Sequence, residues 1–367
     1  MINKKPRIAV IGLKGLPAFG GAAAVGENII NELNEEYEFT VYSTASHTIH
    51  KTGNLGGFRQ VVFRKLPFKR INTLYYYIIS ALHALFSFNY DLVHLHHRDA
   101  AFIIPLLRLR YKVLVTTHSC FYVVDKWKRY EFFFQINERF FIKFANAVTS
   151  VSLNEKRKFK KEINLDVTYI PNGINLLGSD VIRDVNYKNY IFFGAGRIIR
   201  TKGLDALLRS LNKINYKGLL VVAGDLDQNE EYKQDILELS KDLNVVFLGL
   251  IKDKKELLSY IANSDFFVYP SYLEAMSMML LEGASVKAPI ICSDIIENKD
   301  IFSDDEVLFF ESNSVDDLAE KVLYASKNLD EMKLRSERAY KKLITSYNWQ
   351  LISEKYSEAY KSLLYHG

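Results

Sequence analysis

The chain has 367 residues, 49% of them apolar and 25% charged. That is too long for one ordinary core and has the usual globular balance, so two domains are expected. Its two cysteines, Cys120 and Cys292, stand far apart with no metal-type spacing, which argues against a disulfide framework and suits a reducing cytoplasm. Charge is unevenly shared: up to Gly178 there are 24 Lys and Arg against 13 Asp and Glu, a net of +11, and from Ser179 onward 24 against 30, a net of −6. A basic half beside an acidic half calls for an anionic partner of the first half only. No zinc, helix-turn-helix or ribonucleoprotein signature accompanies it, so nucleic acid is set aside in favour of an anionic membrane surface or a phosphate-bearing acceptor.

No secretory leader is expected, because residues 1–7 run straight into a short strand without a cleavage site. Strands are predicted at 7–11, 39–42, 60–64, 92–96, 113–117 and 147–151. A short one at 167–170 is closed by the turn Pro171-Asn172-Gly173. Between Arg70 and Asp91 no residue is formally charged, yet Asn72, Thr73, Ser80 and His83 interrupt the apolar run. The segment is read as a well-buried helix between two strands rather than a membrane span. After the polar stretch 178–189 the pattern restarts, with strands at 190–194, 218–223, 245–248, 266–270, 289–292 and 307–310. Helices are predicted at 203–214, 231–243, 254–263, 278–286 and 315–327, and 329–364 reads as two more. The expected fold is α/β: two doubly wound, Rossmann-like domains facing a cleft, with ligands at the carboxyl ends of the strands. The boundaries are 1–178, 179–345 and a closing helix at 346–367.

Two stretches carry the chemistry. In the first, Tyr269 to Gly283, a strand end leads through Glu274 into a helix that holds Glu282. The backbone amides of Ala275, Met276 and Ser277 are expected to be free donors before that helix, a natural anion site. In the second, Gly194-Ala195-Gly196-Arg197 to Lys202-Gly203, two cations stand on a glycine-rich strand-to-helix loop, suited to a diphosphate whose negative charge grows as a group leaves. Each stretch alone also reads blandly, as a capped helix and a solvated turn.

Together they resemble glycosyltransferase family four, the large retaining group with the GT-B fold. The arginine, four residues, lysine, glycine pattern is matched by Arg197, Lys202 and Gly203, and the Glu, seven residues, Glu pattern by Glu274 and Glu282 after Pro270-Ser271. Gly12 to Gly21 resembles the family's N-terminal glycine loop, and Val115-Thr116-Thr117-His118 its strand-end histidine. Ser150-Val151-Ser152, Ile170 to Ile174 and Tyr347-Asn348-Trp349 resemble a later strand end, the domain-closing turn and the entry to a final helix that crosses back to the first domain.

The resemblance implies that Arg197 and Lys202 grip the donor diphosphate, Glu282 holds the ribose hydroxyls, and Glu274 contacts the transferring sugar. It places His118 near that sugar and has Gly20 and Gly21 admit the phosphate. Ala275, Met276, Ser277 and Leu281 complete the donor set, and His118, Glu274, Arg197 and Lys202 form the catalytic one. The implied reaction is metal-independent, retaining transfer from a UDP-, GDP- or dTDP-linked sugar to a saccharide or lipid-linked acceptor, with no cofactor required. Cell-surface polysaccharide synthesis (lipopolysaccharide or capsule) is its expected setting, in the cytoplasm or peripherally at the inner face of the plasma membrane. Departures from the family pattern are Ala275-Met276 after Glu274, Gly283 after Glu282, Lys287-Ala288-Pro289 in place of a glycine-containing turn, and Ala22-Ala23-Ala24 after Gly21.

Asp225-Leu226-Asp227 mimics a metal-binding acidic pair and is read as a polar loop. Gly12-Leu13-Lys14-Gly15 hints at a dinucleotide fingerprint, but no carboxylate ends the second strand. In the first half, stretches 64–70 and 126–134 interleave cations with aromatics, as a lipid headgroup region would require. The alternatives are a sugar-nucleotide epimerase or hydrolase of the same fold, or a nucleotide-sugar-binding protein without catalysis.

Overall fold

A computed structural model of the protein describes residues 4–18, 21–66, 69–87, 89–118, 137–176 and 182–365. Gly20, Pro67, Phe68 and the aromatic–basic stretch 126–134 lie outside them. The chain divides into two compact units, residues 1–173 with 349–367, and 174–348.

In chain order the first run comprises β1 (Arg7–Lys14), α1 (Gly21–Leu33), β2 (Glu38–Thr44), β3 (Gly53–Asn54), β4 (Phe58–Phe63), α2 (Lys69–Ser87) and β5 (Leu92–His96). It continues with α3 (Ile104–Leu107), β6 (Lys112–Thr117), β7 (Ala147–Ser150), α4 (Leu153–Ile163) and β8 (Thr168–Tyr169). These strands form one sheet of order β3-β4-β2-β1-β5-β6-β7-β8, parallel except where β3 meets β4. Both faces are covered, as a parallel sheet requires. Along β1, Ala9 and Ile11 join the core under α2 and α3, while Ile8 and Val10 join the core under α1. Helix ends follow local chemistry: Ser152 caps α4 by accepting the Glu155 N–H, and Asn164 closes it in the left-handed region.

The second run comprises β9 (Tyr190–Arg197), α5 (Leu204–Lys213), β10 (Leu219–Asp225), α6 (Glu230–Leu239), β11 (Asn244–Gly249), α7 (Lys254–Ala262) and β12 (Phe266–Tyr269). Then come α8 (Met278–Ser285), β13 (Ile290–Ser293), α9 (Ile296–Lys299), β14 (Leu308–Phe310), α10 (Val315–Lys327) and α11 (Leu329–Ser346). Its sheet is wholly parallel, of order β11-β10-β9-β12-β13-β14. The last helix, α12 (Trp349–Tyr365), belongs to the first unit. There Trp349 lies so close to Gly173 that a Cβ on that glycine would come within 2.6 Å of the indole ring. The phenol of Tyr360 meets His94 of β5 at 2.8 Å.

One expectation needs correction. The uncharged segment forms α2, as predicted, but it is buried on one side only. Tyr76, Tyr77, Ala81, Ala84 and Leu85 face the core, while Ile71, Leu74, Ile78, Leu82 and Phe86 face outward. Apolar content alone could not tell one buried face from two. Among the described residues no helix is long and apolar enough to cross a membrane.

Candidate functional site

The second sheet reverses its winding between β9 and β12, and the loops leaving the carboxyl ends of these neighbours carry the candidate donor residues. Arg197 ends β9, and its exposed side chain makes no hydrogen bond or ion pair among the described residues. One tight turn, Arg200–Lys202, then reaches Gly203 at φ +72°. A Cβ there would lie 2.3 Å from the carbonyl oxygen of Pro270, so only glycine lets this loop close onto the end of β12. The closure is latched by the Tyr272 amide, which donates to the Thr201 carbonyl at 3.1 Å, and the Ser271 Oγ lies 3.0 Å from the same oxygen. It brings the Lys202 ammonium to 2.5 Å from Oε1 of Glu274.

That oxygen also accepts from the phenol of Tyr269 at 2.5 Å and the hydroxyl of Ser271 at 2.6 Å. Burial, then the neighbouring Glu274 charge, push the Tyr269 phenol well above its ordinary pKa, so it stays a donor. A buried polar chain supports the loop from below. Ser293 donates to the Ser271 carbonyl, Asn298 donates to the Ser293 carbonyl at 2.9 Å, and Ser277 donates to Asn298 at 2.7 Å. The Glu274 carboxylate is therefore fixed by three other residues before any ligand arrives, with its second oxygen left over.

Glu282 lies on α8 and is buried. Its Oε1 meets the ammonium of Lys254, the first residue of α7, while its Oε2 is buried with no partner among the described residues. An orphaned buried acceptor costs about 1–3 kcal/mol, which a ligand hydroxyl would relieve. Lys254 was missed in the sequence because nothing marks a first-turn lysine as facing a carboxylate in another helix.

Helix α8 starts at Met278, as predicted, with Ser277 as its N-cap. Ala275, Met276 and Ser277 form the preceding turn, and the orphan first-turn amides begin at Met278. Leu281 is fully buried, its amide donating to the Ser277 carbonyl at 3.2 Å. The Ser277 hydroxyl is used on Asn298, and Met276 is buried as well. Two of the family departures acquire reasons. At Gly283 a Cβ would sit 2.8 Å from the Phe267 ring, so the bulky strand residue excludes even alanine. Lys287 takes the turn at φ 56°, tethered by an ion pair to Glu337 at 3.0 Å and by the Tyr340 ring beneath its ammonium.

Asp225 accepts from the Asp227 amide at 3.0 Å and Asp227 pairs with Lys233 at 2.7 Å, the organisation of a polar loop.

In the first unit the winding reverses between β1 and β5. Gly12, at φ +117°, runs so close to β5 that a Cβ would strike the His96 carbonyl. Lys14 (φ 65°) and His97 (φ 79°), at these two strand ends, are both non-glycine residues in the left-handed region, where strain accompanies function more often than chance. His118 follows β6, and its Nε2 lies 3.0 Å from Nδ1 of His96, the rings stacked at 13°. Burial pushes all four clustered histidines down, His94 and His97 to about 3 and His96 and His118 well below their ordinary value, so they are neutral at pH 7. Burial also raises Asp99, which accepts from the Tyr77 phenol at 2.9 Å. His118 is the histidine that the family resemblance marks; the signal for the rest is His94-Leu95-His96-His97 at the end of a strand. Around Gly21, at the start of α1, a Cβ would meet nothing within 4 Å among the described residues.

Family models match both units of the chain. Residues 19–176 match the model described as Glycosyltransferase Family 4 and residues 181–342 that of Glycosyl transferases group 1. A 41.2 kDa protein in the cps region of Klebsiella pneumoniae is 24% identical over 64% of this chain and 68% of its own length. A glycosyltransferase of Methanocaldococcus jannaschii is 23% identical over 91% of this chain and 92% of its own. The capsular polysaccharide biosynthesis glycosyltransferase CapM of Staphylococcus aureus is 27% identical over 48% of this chain and 47% of its own, so about half of that relative is matched. In fold the chain is similar to sucrose-phosphate synthase from Thermosynechococcus elongatus (TM-score 0.85, 20% identity, 99% of this chain and 100% of that one). It is likewise similar to Anabaena HepE in complex with UDP-glucose (TM-score 0.72, 14% identity, 97% and 99%). Two matched models that together run from residue 19 to 342, on two doubly wound sheets with the motif residues at a switch point, establish that the chain belongs to the family 4 glycosyltransferases of GT-B fold.

Proposed function

We propose that the protein transfers a sugar, with retention of anomeric configuration and without a required metal, from a nucleotide diphosphate donor to a saccharide or lipid-linked acceptor in cell-surface polysaccharide synthesis. The observation that carries this reading is the second unit's switch point: one carboxylate pre-fixed against a lysine, and a buried carboxylate oxygen open to a ligand hydroxyl. Glu282 would accept from the ribose through Oε2, and Arg197 and Lys202 would hold the diphosphate. As the sugar leaves, negative charge accumulates on that diphosphate, and cations already in place stabilise it without reorganisation. Glu274, with one oxygen occupied by Lys202, Tyr269 and Ser271, presents the other to the sugar. Attack from the face the diphosphate leaves lets the departing phosphate take the acceptor's proton, so no separate base is needed. His118, neutral through burial and held by His96, serves as a hydrogen-bonding group for a sugar hydroxyl.

The basic first unit binds the acceptor, and its charge draws it to an anionic membrane surface. The name of the Staphylococcus relative supports the capsular setting. The test is a thermal-shift panel of UDP-, GDP- and dTDP-sugars, followed by product analysis with the stabilising donor in the presence of a chelator. A product with inverted configuration, or turnover abolished by the chelator and restored by a divalent cation, would overturn the mechanism. Donor breakdown or rearrangement that ignores added acceptor would favour the epimerase or hydrolase reading instead.

A further inference from the structure

From the outward face of α2 we infer that the first unit docks on an anionic lipid surface by laying this helix into the headgroup region; the inference rests on the membrane-proximal reading above and gives it a place. Ile71, Leu74, Ile78, Leu82 and Phe86 follow one another at spacings of three and four, which puts all five within about 120° of arc. Phe86 is 82% exposed and the other four between 37% and 53%. The opposite side of the same helix is fully occupied by the core, so the stripe is not a misplaced interior face. A run of large apolar side chains along four turns is more than the scattered exposure ordinary surfaces show, and it marks an interaction site.

Charge identifies the partner. Between Glu38 and Asp91 the sequence contains no acidic residue, while Lys51, Arg59, Arg64, Lys65, Lys69 and Arg70 fall in the same interval. Arg64 and Lys65 are exposed just ahead of the helix, and Lys69-Arg70 open it with no acid in its first turn. Cations there oppose the helix dipole, a poor choice for an isolated helix and a good one against anionic headgroups. At the other end Arg110 donates to the Leu85 carbonyl and to Asn89, and exposed Arg108 and Leu109 (79%) adjoin it. An uncharged apolar stripe bracketed by cations at both ends, on a helix too polar to span, is the pattern of an in-plane interfacial helix. A second copy of the chain would bring these like-charged ends together, which disfavours self-association on this face.

The test is co-sedimentation of the full chain with phosphatidylcholine vesicles, plain or containing about 30% phosphatidylglycerol, across a salt series. The expected result is binding to the anionic vesicles alone. The double substitution Leu82→Ser with Phe86→Ser should weaken partitioning about thirtyfold at every salt concentration. Arg64→Gln with Lys65→Gln should flatten the salt dependence while leaving residual binding. Both pairs are exposed, so thermal melting and donor binding should be unchanged, which separates failed docking from failed folding. Three results overturn the inference: no binding of the wild-type chain, equal binding by the Leu82/Phe86 variant, or a wild-type dimer that this variant makes monomeric. A wild-type chain that binds vesicles but no nucleotide sugar would sink the transferase mechanism instead and leave the docking face standing.

Discussion

Mild acid should unfold the first unit before the second, because every histidine of the chain lies in the first. The eight are at 47, 50, 83, 94, 96, 97, 118 and 366, and the second unit, 174–348, contains none. His94 is buried and His97 partly so, and desolvation holds both neutral to about pH 3, whereas in the unfolded chain they protonate near pH 6.5. Between those values the unfolded chain binds more protons, so stability falls as pH falls. From pH 7 to pH 5 the loss is about 2 kcal/mol for each, or about 4 kcal/mol for the two. His96 and His118, also lowered, act in the same direction. Asp99 is raised by burial and acts oppositely, favouring the fold as pH drops, but it is one group against four. A loss of this size is a large share of the 5–15 kcal/mol typical of a domain, and the window lies above the range where most carboxylates titrate. Of the chain's two tryptophans, Trp349 is buried in the first unit, Trp127 lies outside the described residues, and the second unit's residues contain neither, so tryptophan fluorescence is a probe free of the second unit while far-ultraviolet circular dichroism follows both. Urea titrations at pH 7 and pH 5 should show the fluorescence midpoint fall sharply and the remaining transition hold. An unchanged fluorescence midpoint at pH 5 would refute the buried neutral cluster.

Further predictions concern the donor site. Glu282→Gln keeps the shape but loses the charged acceptor, and should weaken nucleotide binding by about 1.5–3 kcal/mol in calorimetry; unaltered affinity would remove the ribose assignment. Lys254→Met strips the partner from a buried carboxylate while its own half-exposed side chain limits the damage. The donor KM should rise about tenfold with kcat nearly constant, and a fall in kcat alone would contradict a positioning role. Gly203→Ala forces a Cβ against the Pro270 carbonyl, so the second unit's melting point should drop with a cost of about 1–3 kcal/mol and kcat should fall as Lys202 shifts. Arg197→Ala, which breaks no contact among the described residues, should leave melting untouched yet lower kcat about a hundredfold; retained turnover would exclude it from the diphosphate grip.

Sequence alone determined the strand–helix alternation, the restart near residue 190 and the two motif stretches. Each rests on local pattern: apolar runs of strand length, glycine at strand-to-helix turns, and charged residues at fixed spacing. It located His118, Glu274 and Glu282 but gave none of them a partner. Lys202 meets Glu274 across 72 residues and Lys254 meets Glu282 across 28, pairings that exist only once β9 and β12 lie side by side and α7 packs near α8. The start of α8 at Met278 was legible in the pattern, but only the tertiary structure brings Lys202, Tyr269 and Ser271 onto the Glu274 carboxylate ahead of it. The histidine cluster likewise needed β5 and β6 in parallel register to bring His96 against His118. Tertiary packing also decided which face of α2 is covered, since periodicity gives a helix its faces but only its neighbours determine how many of them are buried.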